Sequence, residues 1–423
     1  MVETKKKTYV FTSESVSCGH PDALADFISD TLVDNFVAQD PNSRCAIEVM
    51  VAPQNVFICG EINSKANVNI DSVTRDAIRK IGYVEENCGF DYKNVKITNC
   101  LHQQSPDISQ GVDREDGITG SGDQGIPSGF ACNETECYMP LPIALAHLII
   151  KVLTDIRKEG KIMTYLKSDA KSQVTVRYAE DGTPLNVDSI VVSTSHSVFE
   201  TEGEMFNIIR NDVRNIVIPK VIEKCSDKVK KLFNDNIKYY INETGIFSVY
   251  GPMGDSGLTG RKLEVNSFGG RCPIGGGSYT SKDASKVDRS AAYMARYIAK
   301  NMVAAGVADE MFVQLSYSIG VAEPVSIYVN TNGKSHIKET DGEIAEKIGE
   351  IFDLTPGGII KKLKLTSPVF AETTSLGHFG RRNKKVKKIF TLPNGATKEI
   401  EVELFTWEKL DSVDLLKKEF GIN

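Results

Sequence analysis

The residue types best suited to chemistry crowd between Gly251 and Arg289, which reads GPMGDSGLTGRK and, after a short apolar stretch, FGGRCPIGGGSYTSKDASKVDRS. Glycines at this density let a backbone turn sharply and approach a ligand closely. Arg261, Lys262, Lys282 and Lys286 place four cations around those turns. Lys282 and Lys286 are four apart and would share a face if helical. Two cations on one face, with no acid at the matching position, make a poor structural device and a good clamp for a polyphosphate. Asp288 beside them is the kind of carboxylate through which Mg²⁺ bridges protein and phosphate. Either half alone reads as glycine turns with solvated lysines; the two together point to anion chemistry.

A second cluster lies near the N-terminus. In SCGHPDALADFISD, His20 and Asp22 sit just ahead of an expected amphipathic helix. His-x-Asp offers an imidazole to stabilise a leaving anion and a carboxylate for a metal, or simply a helix cap. Glu48 in the apolar run CAIEVMV and Glu61 at the end of VFICGEI are acids on a face expected to be buried, where a charge is costly unless it is paired or holds a cation. Residues 104–114 (QSPDISQGVDR) have the composition of a loop that could close as a lid. GSGDQG at 120–125 fits Gly-x-Gly-x-x-Gly, but the polar stretch before it is no buried strand, so the dinucleotide context fails. No Gly-x-x-x-x-Gly-Lys-Ser/Thr loop occurs here.

The elements that must hold these residues can be read coarsely. Strands at 45–51 and 56–62 precede a helix at 70–81. The same order returns at 173–179, 188–196 and 203–225, and again at 311–320, 324–330 and 341–353. Strand, strand, helix three times over predicts an α+β protein of three similar units. Asn394-Gly395, between a Lys-rich run (384–392) and a Glu-rich run (397–405), predicts a hairpin with a solvated face. At 423 residues, 41% hydrophobic and 25% charged, the chain is an ordinary globular protein too long for one core. Its net charge of −6 argues against a general nucleic-acid binder. Nine scattered cysteines without a Cys-x-x-Cys pair read as reduced thiols. The most apolar stretch, 139–153, is too short and too interrupted to span a bilayer, and no signal peptide precedes it, so the expectation is a cytoplasmic protein without membrane partners.

Taken in order, FTSESV, GHPD, QSPDI with QGVDR, GSGDQG, ETECYMPLP, SDAKSQVT, GPMGDSGLTGRK, GGG with KD and KVDRSAAY, IGVAEP and GHFGR resemble the S-adenosylmethionine synthetase family along almost the whole chain. That resemblance implies attack of methionine sulfur on C5′ of ATP, expulsion of tripolyphosphate, and its hydrolysis to pyrophosphate and phosphate. It implies three α+β units around a pseudo-threefold axis, expected at 8–105, 120–243 and 246–423. The hairpin near 384–404 then reads as an insertion. Carried over by position, His20, Lys171, Arg261, Lys282 and Lys286 are the catalytic residues. ATP would meet His20, Asp169, Lys171, Phe247, Asp255, Arg261, Lys262, Ser278 and Lys282, with Phe247 stacked on adenine. Methionine would meet Glu61, Gln104, Asp123, Asp255 and Lys286. Asp22, Asp288 and Glu14 would hold two Mg²⁺ per site, and Glu48 a K⁺. Family members are homodimers, or pairs of dimers, with active sites at the interface.

The chain departs from the family pattern beside this chemistry. Cys18 and Ala23 flank Gly-His-Pro-Asp where Glu and Lys are usual. Ile246 stands for Arg, Tyr250 for Gly, Ile274 for His, and Thr280-Ser281-Lys282-Asp283 for Ser-Gly-Lys-Asp. An impaired paralogue acting as a structural partner, and a phosphotransferase attacking phosphorus, are the other readings; the retained clamp cations speak for an active enzyme.

Overall fold

The computed structural model describes residues 7–103, 120–392 and 394–422; Gln104 and the expected lid at 104–114 fall outside them. Strand β1 (Thr8–Val16) runs through Gly19-His20 into helix α1 (Pro21–Gln39), followed by β2 (Arg44–Ala52), β3 (Asn55–Asn63), α2 (Ile70–Ile81) and β4 (Lys96–Gln103). Next come β5 (Ser128–Cys132), α3 (Leu141–Glu159), β6 (Leu166–Ala179), β7 (Pro184–His196), α4 (Glu202–Asp212), α5 (Ile218–Lys224) and β8 (Lys238–Ile241). The last third holds β9 (Gly257–Leu258), α6 (Val287–Ala305), β10 (Glu310–Ser316), β11 (Ser326–Asn330), α7 (Asp341–Ile351), α8 (Pro356–Leu363), β12 (Lys384–Thr391), β13 (Thr397–Leu404) and α9 (Val413–Glu419). The strand–strand–helix order recurs at β2-β3-α2, β6-β7-α4 and β10-β11-α7, as the sequence predicts, in a mixed α/β architecture.

The sheets do not follow the chain order. They run β4-β3-β2-β9, β1-β6-β7-β8 and β11-β10-β5, with β12-β13 a separate hairpin. β1 is therefore lent to the sheet of β6 and β7, and β9, one step from the lysine-rich loop, pairs with β2 through Met50–Leu258 and Val51–Gly257. This exchange draws the N-terminal and 257–288 segments together. One large core joins α1, α2 and α6 to the strands around them, and a second is built by α3, β6, β7, α4 and α5.

Helices α1 and α6 set the plan. The sequence predicts α1 to be amphipathic, and the structure corrects this: of its 19 residues only Phe27 and Gln39 escape full burial. The helix is wrapped on all sides because its acids are neutralised, not because it lacks them. Asp22, Asp26, Asp30 and Asp34, spaced by four, line one stripe and are all at least 98% buried. α6 is buried over nearly its whole length too, and Arg296 in it is fully enclosed. Its guanidinium binds Glu408 at 3.1 Å and donates to the carbonyls of Phe130, Cys137 and Tyr138, while Lys300 reaches Glu408 at 2.7 Å.

The hairpin forms where expected, with Gly395 at φ 79° in its turn. Lys387–Glu399 and Lys385–Glu401 decorate it as cross-strand pairs. Its solvated-face reading needs one correction: Lys388 points inward to Asp34 (2.7 Å) and Glu372 (2.8 Å), locking the hairpin onto the end of α1. All nine cysteines are free, and no described helix is long and apolar enough to cross a membrane.

Removing one member of a buried ion pair leaves the other charged and desolvated. Arg296→Met is therefore expected to lower unfolding stability by about 3–5 kcal/mol, read as a shifted urea midpoint at unchanged slope.

Candidate active site

Both long buried helices begin beside the cationic loops. α1 opens at His20-Pro21-Asp22 against Arg261 and Lys262, and α6 at Lys286-Val287-Asp288 against Lys282, each N-terminus carrying partial positive charge. Asp22 accepts from the Leu258 amide at 3.0 Å and from Lys262 Nζ at 2.6 Å, with Arg261 at 3.7 Å. Burial raises its carboxyl, but the Lys262 hydrogen bond, the Leu258 amide and the nearby positive charges outweigh that and hold it below the usual range. Asp288 pairs with Lys282 at 2.6 Å, and Lys286 pairs with Asp283.

Two expectations about the lysines are thereby corrected. Lys282 forms an isolated bridge to Ala46 and Lys286 is the N-cap of α6, so they lie in the bend before a helix rather than on one face of it. Nor are they free of acids, since each has an aspartate partner. The chain enters the bend by way of Ser281, a non-glycine residue at φ 82°, a conformation that persists only when the surroundings impose it. Three groups do so: its amide donates to Asp30 at 3.1 Å, its carbonyl accepts from Ile47, and its hydroxyl reaches Glu48 at 2.8 Å.

The aspartate stripe of α1 is what pins the loops. Asp26 accepts from the Gly260 amide at 2.9 Å and from Asn266 at 3.2 Å, immediately beside Arg261 and Lys262. Asp30 binds Arg289 and the Ser281 amide, immediately beside Lys282. These acids escaped the sequence reading, although their four-residue spacing in a long helix was there to be seen. Asp26 differs from its neighbours in having only neutral donors. Burial pushes its carboxyl up to about 7, with the two hydrogen bonds pulling against it.

His20 is 2% exposed and caps α1, its Nδ1 accepting the Asp22 amide at 3.2 Å. Desolvation, then the charges of Lys262 and Lys171, lower its pKa to about 3, Asp22 opposing them. The imidazole is thus neutral, and with Nδ1 accepting, its proton sits on Nε2. Lys171 is exposed on β6, across the ladder from Val16. Asp169, two residues earlier, is 5% exposed; its Oδ2 takes the Gly251 amide at 3.0 Å and its Oδ1 has no partner. Burial raises it to about 6. Ser278 Oγ is buried and unpartnered as well, packed against Gly260. Each of these two atoms is left with a hydrogen bond to offer.

The other expected residues are spread over several elements. Phe247 is half-buried, and His196, which the sequence reading missed, holds it by accepting the Phe247 amide on Nε2 at 3.1 Å and donating its own amide to the Phe247 carbonyl. Asp255 is exposed in the loop after Gly251. Asp123 is exposed, but its loop is brought in: a side chain at Gly125 would meet Asp288, and one at Gly277 would overlap the same carboxylate. Glu48 and Glu61 correct the buried-face reading. Both project from the open face of their sheet, Glu48 exposed and accepting from Ser281 and Thr259, Glu61 half-buried and 3.9 Å from His102. Glu14 is exposed on β1 opposite Gln173 and shares no hydrogen bond or ion pair with the other carboxylates.

The departures at the motif also have places. Ala23 packs with Val16 and Val265, Cys18 donates to Ser375 Oγ at 2.9 Å, and Tyr250 stacks on Tyr83, whose hydroxyl holds the Gly19 carbonyl.

Exchanged sheets that set cation–carboxylate clusters at the starts of two buried helices suit an enzyme with an anionic substrate, and comparison with known proteins names the family. The N-terminal, central and C-terminal domain models of S-adenosylmethionine synthetase match residues 8–106, 118–247 and 249–388. S-adenosylmethionine synthases of Bacteroides thetaiotaomicron, Flavobacterium johnsoniae and Porphyromonas gingivalis are 52%, 50% and 49% identical, over 98% of this chain and 100% of theirs. The chain belongs to the S-adenosylmethionine synthetase family.

Because folding raises the Asp26 pKa, the native state binds that proton more tightly than the unfolded one. The resulting stabilisation is full below about pH 4 and is lost as pH rises toward 7. Asp26→Asn is expected to abolish this dependence and to match or exceed the parent at pH 8, seen by urea melts across the range.

Proposed function

We propose that this chain makes S-adenosylmethionine from ATP and L-methionine, the sulfur attacking C5′ as the C5′–O5′ bond breaks and tripolyphosphate leaves. The observation that supports this is a pair of cation–carboxylate clusters on the glycine-rich loops, Arg261 and Lys262 on Asp22 at the start of α1, and Lys282 on Asp288 with Lys286 on Asp283 at the start of α6. No protein nucleophile is needed: the barrier falls when preorganised cations face the charge that develops on the leaving group. Neutral His20 donates from Nε2 to the departing oxygen, a role for which an unprotonated, fixed imidazole is suited. The same cations hold the tripolyphosphate while water hydrolyses it. Lys171 and Asp255 lie toward the sugar and phosphates, Asp169 offers its free oxygen, and Phe247 gives adenine a face.

The carboxylates fit magnesium. Mg²⁺ is commonly held by one or two carboxylates and completed by phosphate oxygens and water, and among the described residues no larger group of His, Cys, Asp or Glu is gathered. Asp22 and Asp288 would hold it, exchanging their lysine partners, with Ser278 Oγ close by; Glu14 is a weaker candidate. Bound there, Mg²⁺ supplies further charge neutralisation of the polyphosphate. Glu48, with Ser281 and Thr259, offers only oxygen donors and suits K⁺.

The open sheet face bearing Glu48 and Glu61 also carries Met50, Phe57 and Leu258, each about 40% exposed and neighbours in register. Apolar contact beside functional acids supports a homodimer across this face, with methionine bound at Glu61, Asp123 and Asp255 near the seam. Phe57→Lys is expected to yield a monomer by light scattering and to lose activity.

Incubation with ATP, methionine, Mg²⁺ and K⁺ should give equimolar sulfonium product, pyrophosphate and phosphate. ADP or AMP without a sulfonium product would overturn the reading. Arg261→Ala or Lys286→Ala should cut kcat by roughly 10²–10³ while the fold is kept; near-normal turnover would remove that residue from the clamp.

A further inference from the structure

A cavity of about 360 Å³ opens between α3 and the C-terminal segment, apart from the site above. Leu148 and Met139 form one wall, and Leu376, Phe379 and Phe405 the other. Lys151, Arg382 and Lys384 stand exposed at its rim. Arg382 and Lys384 have no ion-pair partner among the described residues, while Lys151 pairs with Asp155 at 2.6 Å. No carboxylate lines the cavity. In a chain of net charge −6 that is a distinction, since four other cavities each carry two or more acids. His147, 92% buried, lines it as well; its Nδ1 is 2.7 Å from Ser15 Oγ and its Nε2 has no partner. Two of the wall residues, Leu376 at φ 64° and Phe405 at φ 55°, hold left-handed backbone that bulky side chains rarely adopt. Strain of this kind collects at ligand sites.

We infer that this cavity binds a small amphipathic anion, an aromatic or short alkyl body bearing one carboxylate or phosphate. The apolar walls desolvate the body, and the volume, at the lower end of the roughly 300–1,000 Å³ of ligand pockets, admits about one ring and a short chain. The charged end meets Arg382 and Lys384 with no acid to repel it. The occupant lies behind β1 and the turn that follows it: His147 touches Ser15, and Ser375, next to Leu376, takes the Cys18 thiol two residues before His20.

The chain carries its own reporter. Trp407 is its single tryptophan, fully buried and edge-on to Phe405 with ring centroids 5.7 Å apart. The test titrates the full chain, with ATP and Mg²⁺ saturating, with 3-phenylpropionate, 3-phenylpropanol and 3-phenylpropylamine. Trp407 emission and saturation-transfer NMR follow binding. A saturable response to the acid is expected, weaker for the alcohol and weakest for the amine. The surface variant Arg382→Glu/Lys384→Glu should weaken acid binding at least about tenfold, and Ala144→Phe, filling the hollow, should abolish it. Absence of a saturable response to the acid, equal binding by the charge-reversed variant, or an amine that binds as well as the acid would each overturn the assignment. The readout is binding alone, so the outcome is independent of the proposed reaction.

Discussion

A helix that carries four aspartates cannot be buried unless each finds partners, and the rest of this protein is arranged around that demand. Asp22 takes Lys262 and the Leu258 amide, Asp26 the Gly260 amide and Asn266, Asp30 Arg289 and the Ser281 amide, and Asp34 Lys388 with the amides of Phe370 and Ala371. Every one of those donors belongs to the last 170 or so residues of the chain. An unpaired buried carboxylate costs several kcal/mol, so the stripe enforces long-range order: the two glycine-rich loops and the hairpin are stitched, four residues at a time, to one rigid rod.

Function follows from the same stitching. Flexible glycine loops alone would hold their lysines loosely, and electrostatic stabilisation depends on donors that are already in place when charge develops. Gly260 and Ser281 are fixed by Asp26 and Asp30, and Arg261, Lys262 and Lys282 are their immediate neighbours. Asp26 and Asp30 hold the loops through their backbone amides, while Asp22, Asp283 and Asp288, buried as well, meet the lysine side chains.

The altered residues at the motif are absorbed by packing. Cys18 and Ala23 are smaller than the Glu and Lys usual in the family; Ala23 is buried with Val16 and Val265, and half-buried Cys18 bonds Ser375. His20 keeps its cap and its neutral state beside these two replacements.

Much was legible in the sequence, because hydrophobic periodicity and turn chemistry are local. The recurring strand–strand–helix order, the helix at 70–81, the hairpin and the cationic glycine loops all follow from neighbours within a few residues, and ten ordered motifs placed the chain in its family. What only the tertiary structure decided is pairing at a distance. No local pattern says that β1 and β9 join other segments' sheets, that Lys282 and Lys286 meet Asp288 and Asp283 rather than solvent, or that the face of Glu48 is open. Nor could it reveal that α1 is buried all round, since its aspartates look solvent-facing until their partners, some 240 residues away, are in place. Charge in a sequence reports only that a cost exists; which distant amide or ammonium meets it is settled by the fold.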